Sequence, residues 1–355
     1  MKKTIDHPGV TLDKKLKETN MSRKELAQRT NVTEKHICTV INGDRGISAA
    51  FAQKLGYVFD TPAEWLQRQA EYEEYQLYLQ EENSISKEEI DLLKPLHEIM
   101  EHFIEKGYMH NGCGAAEKVI QLRKLLKISD LLLIPNISYN AAYRAQLSSN
   151  VNVNPYVLFA WQALCEKETE QIHAQKILDK KLLRENVPAI KEMMFKDIND
   201  GIEKIQKLLS QCGIAFQVVK NFRGAPVQGF IKETADQRLI LCLTIRRKRA
   251  DSFWFTLFHE LGHVLYGDYS SRFVDFDAVS SAVEARADAY AKNTLIEPSL
   301  YCDFLNACES FTFDKIKELA DKAKVKPFIV IGRLQKDGHL DWSEYAKKIP
   351  QYSWA

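Results

Sequence analysis

Two histidines and a glutamate, spaced as His259-Glu260-Leu261-Gly262-His263, lie inside an apolar run, and this segment constrains the chain more than any other. Trp254, Phe255, Leu257, Phe258, Leu261, Val264 and Leu265 surround them, so 252–266 reads as a buried core helix. Imidazoles and a carboxylate on such a helix are costly unless something pairs with them. Residues four apart share a helix face, so both imidazoles can grip one ion. Glu260, one step along, reaches the attacking water rather than the ion. It can take that water's proton as general base and then deliver it to the leaving amine. Zinc suits the pattern because it accepts nitrogen and oxygen ligands and keeps one position open. A pair of hydrogen-bonded core histidines is the competing reading.

A third ligand has to come from another element. Asp268, Asp275, Asp277, Glu284 and Asp288 follow the motif. A helix over about 280–295 puts Glu284 and Asp288 four apart on one face. Such a pair repels in isolation, and a cation beside it removes the cost. Glu284 is therefore the expected ligand. Asp288 is expected to hold the free nitrogen of a ligating histidine and so fix its tautomer. A solvated acidic face is the alternative.

Away from this pair the pattern is mostly helical. Residues 9–70 read as short helices with tight connections, 64–83 as a charged helix, and 85–210 as helical by period. From about 213 the texture changes. GIAFQVVKNF and QRLILCLTI are short β-branched and aromatic runs bounded by Gly, Asn and Asp, which read as strands. The end reads as two helices divided by Val325-Lys326-Pro327. The fold class expected is mainly α with a smaller α+β domain. Three parts are expected: a helix-turn-helix bundle at 1–80, a helical spacer at 81–210, and a zincin-like α+β domain with a small sheet and C-terminal helices at 211–355.

Near the start, Ser22 followed by Glu25 is a capping box that opens a helix. Leu26 and Ala27 face inward. Asn31 falls where the chain must turn, and asparagine tolerates the left-handed conformation. Thr33 then caps a second helix with Ile37, Val40 and Ile41 as its stripe, and Asn42-Gly43 stops it. Two short helices with a tight turn make a helix-turn-helix unit. Thr33 opens the second helix, and Glu34, Lys35, His36, Thr39 and Asn42 on its polar face can reach base edges in a major groove. Arg23, at the start of the first helix, is placed for a phosphate. A solvated face with no DNA role is the competing reading. Residues 1–70 hold twelve Lys and Arg against eight Asp and Glu, a mild hint of an anionic partner within a chain of net charge +1.

Both segments resemble known families. His7-Pro8-Gly9, Ser22 to Thr30, Val32-Thr33, Ile41-Asn42-Gly43, Phe51 to Gly56 and Pro62 to Leu66 resemble the XRE helix-turn-helix family, in particular its HigA-type antitoxin branch. Asn31 stands where that family usually has glycine. The resemblance covers about residues 7–68 and implies operator DNA as ligand, bound by a homodimer on a palindrome. Residues from about 215 to 335 resemble the ImmA/IrrE metallopeptidases, through Phe253 to His263, Glu284 to Asp288, Tyr290-Ala291, Thr294 to Ile296, Pro298 and Val330 to Gln335. Arg286 departs from a frequent glutamate there, and Glu297 from a common proline. This likeness implies a zinc endopeptidase of gluzincin type that cleaves one specific protein, such as a repressor. A toxin partner, with the metal domain serving only as sensor or docking module, is the alternative.

In gluzincins a strand before the metal helix pairs with the substrate backbone, which points to Leu239–Ile245, with Ile240 and Cys242 or their neighbours lining the cleft. Tyr266 and Tyr269 are candidate oxyanion groups, though packed aromatics are the plainer reading. Arg246-Arg247-Lys248-Arg249 reads as a solvated loop.

Seven scattered cysteines, none spaced CxxC, argue against a disulfide framework or a cysteine-rich zinc site. No apolar run approaches membrane-span length, and MKKTIDHPGV has no apolar core of a signal peptide. The expected compartment is the cytoplasm, with no membrane partner.

Overall fold

The computed structural model describes residues 4–59, 61–112, 114–137, 142–144, 153–174, 177–234, 238–269 and 281–353. They divide into two compact units, 1–90 with 114–120, and 91–113 with 121–355.

The first unit opens with five helices: α1 (Pro8–Glu18), α2 (Arg23–Thr30), α3 (Glu34–Ile41), α4 (Ala49–Gly56) and α5 (Pro62–Ser84). Each start is legible chemically. The Nδ1 of His7 accepts from Gly9 N–H at 3.0 Å. Ser22 and Thr33 accept from Glu25 and His36 N–H at 3.1 and 3.2 Å, satisfying donors that a helix leaves orphaned. Asn31 turns the chain between α2 and α3 at φ 49°. Leu12, Leu16, Leu26, Ile37, Val40, Phe51, Leu55 and Trp65 form a continuous core. Gly9 is where α1 meets α3: a Cβ there would lie 2.0 Å from the Val40 carbonyl oxygen.

Next along the chain come α6 (Lys87–Asp91), α7 (His97–Glu105) and α8 (Ala115–Leu126). The second unit then continues through β1 (Ala142–Arg144), α9 (Pro155–Thr169), α10 (Lys180–Glu192), α11 (Ile198–Gln211), β2 (Ile214–Val218), β3 (Gly229–Glu233) and β4 (Leu239–Leu243). Helices α12 (Ala250–Tyr266), α13 (Ser281–Leu295), α14 (Pro298–Ala307), α15 (Phe313–Ala323) and α16 (Pro327–Lys336) complete it. The chain is thus mainly α with a small α+β part, as the sequence indicates.

The sheet runs β1-β3-β4-β2, with β2 parallel to β4 and the other pairs antiparallel. Its two faces obey the strand period of two. Leu239, Leu241 and Leu243 join Ile231 and Phe216 in the core that holds α12. On the other face Phe230 meets Trp161 of α9 edge-on at 5.6 Å, and the indole donates to the Lys220 carbonyl at 2.9 Å.

Four features depart from the sequence reading. Residues 142–144 form a strand within a stretch whose period reads helical, because pairing to β3 overrides local pattern. GFIKE forms β3, too short and too mixed to stand out by composition. Helix α14 starts on Pro298, a favourable first-turn residue. Finally, β4 is no edge: both its sides are paired and all five residues are buried. An unbroken apolar run such as LILCL is the signature of an interior strand.

Candidate functional site

Helix α12 carries His259, Glu260 and His263 on its buried length, at 7%, 2% and 0% exposure. Helix α13 packs along it. The two imidazole Nε2 atoms lie 3.2 Å apart, and Glu284 Oε2 is 3.4 Å from the His259 Nε2. One ligand atom from each of His259, His263 and Glu284 lies within 4.8 Å of the others, so the three could hold a metal ion.

The opposite ring nitrogens decide what those atoms can do. His259 Nδ1 lies 2.6 Å from Asp288 Oδ1. His263 Nδ1 lies 3.3 Å from Asp268 Oδ2. An ionised carboxylate only accepts, so both Nδ1 atoms carry a proton, and in the neutral rings both Nε2 atoms present lone pairs to each other. Two lone pairs and a carboxylate oxygen at such range repel unless a cation lies among them. Burial pushes the Asp288 carboxyl up, but the hydrogen bond from His259 and the nearby Lys336 and Lys292 charges outweigh it and hold it below the usual carboxylate range.

Asp268 is therefore a support for His263, and Arg286 steadies it from α13 at 2.5 Å. Arg286 reaches His263 through this aspartate. The sequence offered Asp268 only as a possible ligand, since nothing local shows which ring nitrogen it meets. Asp275 and Asp277 lie outside the described residues.

Glu260 is buried next to His259 on α12, and its Oε2 has no hydrogen-bond partner among the described residues. Gly229, which opens β3, covers it: a Cβ at 229 would meet Glu260 Oε1 at 2.4 Å. The only early signal for Gly229 is a glycine at a strand start, which marks close backbone approach. In the sheet register Gly229 faces Arg144 of β1, so β1 covers the outer edge of β3 beside Glu260.

A cleft opens over these residues, lined by Gly229 from β3, Phe255 and Thr256 from α12, Ala291 from α13 and Trp342 beyond α16. Ile240 and Cys242, expected to line it, do not. The free Cys242 thiol is hydrogen-bonded with the buried Cys165 thiol of α9, and Ile240 shares that face by alternation. Tyr266 is half-exposed under the Arg286 guanidinium, and Lys180 lies over the Tyr269 ring. The 246–249 run is more than a solvated loop. Arg246 bonds the Pro226 carbonyl, Arg249 pairs with Asp251 at 2.7 Å, and only Arg247 of these arginines is exposed.

In the first unit, Thr33, Glu34, Lys35 and Asn42 are exposed together on or beside α3, while Ile37 and Val40 are buried beneath. Thr39 turns its hydroxyl to the His36 carbonyl at 2.8 Å. His36 packs edge-on against Phe51, and burial, with Arg45 and Lys54 nearby, pushes its pKa down. Arg23 is exposed but leans on Asp13 at 3.4 Å and on the Cys38 sulfur at 3.8 Å. Arg45 and Lys54, which the sequence reading omitted, add two cations near this face.

Three likenesses to known proteins fall on a short part of the chain. Virulence-associated protein A' of Dichelobacter nodosus is 37% identical over 73 residues, which are 20% of this chain and 64% of that protein. An addiction module antidote protein of a HigA family from Coxiella burnetii is 27% identical, covering 24% of this chain and 98% of its own, with a TM-score of 0.21. Pseudomonas aeruginosa antitoxin HigA with higBA promoter is 32% identical over the same shares, with a TM-score of 0.22. No family model matches the chain.

Proposed function

We propose that the chain is a DNA-binding regulator whose second unit holds one zinc ion in a centre that hydrolyses a peptide bond of a partner protein. One observation carries the second half: two lone-pair-bearing Nε2 atoms and a carboxylate converge, with each Nδ1 held by its own aspartate. The two donor separations at His259 also fit in size. Tetrahedral zinc with bonds of about 2.0–2.1 Å implies ligand separations of about 3.3–3.4 Å, and the distances at His259 are 3.2 and 3.4 Å. Zinc, when bound, supplies the Lewis acidity that makes water a nucleophile near neutral pH. Glu260 takes the proton from the attacking water and returns it to the leaving amine, and its unpartnered Oε2 leaves an acceptor for that proton. Asp288 and Asp268 hold both rings in the productive tautomer.

For the first half, the support is the capped α2–α3 pair with its exposed polar face. In this reading α3 enters the major groove of operator DNA, Lys35 and Asn42 face the duplex, and a homodimer reads a palindrome. Replacing Lys35 with alanine is expected to reduce the salt dependence of operator binding by about one counterion if it meets a phosphate.

A second reading keeps the regulator and drops the chemistry: a repressor or antitoxin that binds DNA and a toxin, with the metal unit as sensor or docking module. The pairing of β1 with β3 favours it, because that edge is where a peptide strand would otherwise add beside Glu260. Elemental analysis of the purified chain and of His259→Ala tests the metal. Cleavage of the repressor or toxin partner by wild type and by Glu260→Gln then separates the readings. If Glu260→Gln keeps its zinc and regulates transcription as wild type does, the second reading holds.

A further inference from the structure

Resting on the reading of the cleft as a peptide-cleaving site, we infer that its occupant carries a carboxylate, so the substrate is an acidic peptide. Of the three acids that line the cleft, Asp251 and Asp288 are already paired, and Glu260 is buried with its Oε2 unpartnered. Asp251 takes two bonds from Arg249, at 3.0 and 2.7 Å. Asp288 accepts a hydrogen bond from His259 Nδ1, and Glu260 lies under Gly229. The cations are not matched in the same way. Arg247 and Lys336 line the cleft, are exposed, and form no ion pair among the described residues. Arg333 lines it too. Asp337 takes its Nε, and its guanidinium lies over the Tyr301 ring, so it adds positive charge to the wall but is already held. The exposed Arg247 and Lys336 therefore carry the unmatched charge of the wall, and a carboxylate is the natural partner for it. Between these cations the wall is apolar, with Phe255, Ala291 and the half-exposed Trp342. A peptide with an acidic group flanked by a large apolar side chain complements both parts.

The acidic group could be an Asp or Glu side chain or a free C-terminal carboxylate, and the test separates them. Matched synthetic peptides of one length carry Asp, Asn or Lys next to a phenylalanine. A fourth carries no acidic side chain but a free C-terminus, and a fifth is the same peptide amidated. Full-length, zinc-loaded protein is assayed for cleavage, and the Glu260→Gln chain for binding. The expected result is an acidic peptide favoured over its Asn match by on the order of tenfold in kcat/KM and in affinity, with preference for Lys over Asp after Arg247→Glu or Lys336→Glu. Because Lys336 bears on Asp288, zinc content is measured for each variant, and Arg247→Glu, whose charge is not among those acting on Asp288, stands as the independent arm. If peptides are cut without regard to charge, the inference is overturned while the activity stands. If none is cut but Glu260→Gln and wild type both bind the acidic ones selectively, recognition stands and the hydrolytic reading is lost.

Discussion

Asp288 Oδ1 lies 2.6 Å from His259 Nδ1, one helical turn after Glu284, whose own carboxylate approaches the other nitrogen of the same ring. One helix thus supplies both a ligand and the group that aims a ligand. Asp288→Ala should leave the fold intact and lower zinc affinity by about 10–100-fold. Asp288→Asn should do at least as much harm, because its amide can donate to Nδ1 and force the wrong tautomer. Competition against a chromogenic chelator reads both. Unchanged affinity in both variants would remove Asp288 from the site.

Gly229→Ala is expected to separate metal binding from chemistry. Its new methyl group would stand 2.4 Å from Glu260 Oε1, and the three atoms nearest to it all belong to Glu260. Glu260 must shift, and a displacement near one ångström can cost on the order of a hundredfold in rate. Zinc content should stay at the wild-type level while cleavage falls.

Proline at position 143 should weaken β1, since proline cannot donate to a ladder. If the pairing contributes about 1.4 kcal/mol, roughly one or two net hydrogen bonds, releasing it raises kcat/KM for a peptide by on the order of tenfold. A rate that falls, with zinc retained, would show that β1 shapes the site instead of covering it.

His7 and His36 set a pH limit for the first unit. Burial lowers both pKa values from the ordinary 6.5, helped at His36 by Arg45 and Lys54. Below 6.5 the unfolded chain therefore binds more protons than the folded one. The contribution is full above the ordinary value and is lost as pH falls through the folded values. The His7 cap also needs an unprotonated Nδ1 to accept from Gly9. Hydrogen exchange of residues 8–59 in the full chain should accelerate as pH drops below 6.5, after correction for intrinsic rates. His36→Gln should flatten part of that slope.

Gly9→Ala should destabilise the first unit by about 1–3 kcal/mol, the usual cost of overpacking. The atom it meets is the Val40 carbonyl oxygen, fixed in the α3 backbone, so a side-chain rotation cannot relieve the contact. Denaturant unfolding followed by hydrogen exchange in α1 and α3 measures it.

Much of the helix-turn-helix was legible because its signals are local. Ser22, Thr33 and Asn31 act on neighbours within three residues, and they cap or turn as their chemistry dictates. The helix of His259 and His263 was legible for the same reason. The strand beside it was not. GFIKE has no pattern that announces β3, and the β1 partner is fixed by pairing across more than eighty residues of chain. The run LILCL did carry a signal, since continuous apolarity marks an interior strand, and the edge role assigned to it followed position along the chain instead of that pattern.

The sequence by itself determined that two imidazoles share a helix face, that Glu284 and Asp288 share another, and that α2 and α3 are capped with a polar face outward. These follow from helical geometry and short-range hydrogen bonding. Tertiary structure alone decided which aspartate holds which ring nitrogen, which glycine covers Glu260, and which cations border the cleft. Those choices depend on how α12, α13, α16 and the sheet pack, and packing joins residues whose spacing in the chain carries no trace of the contact.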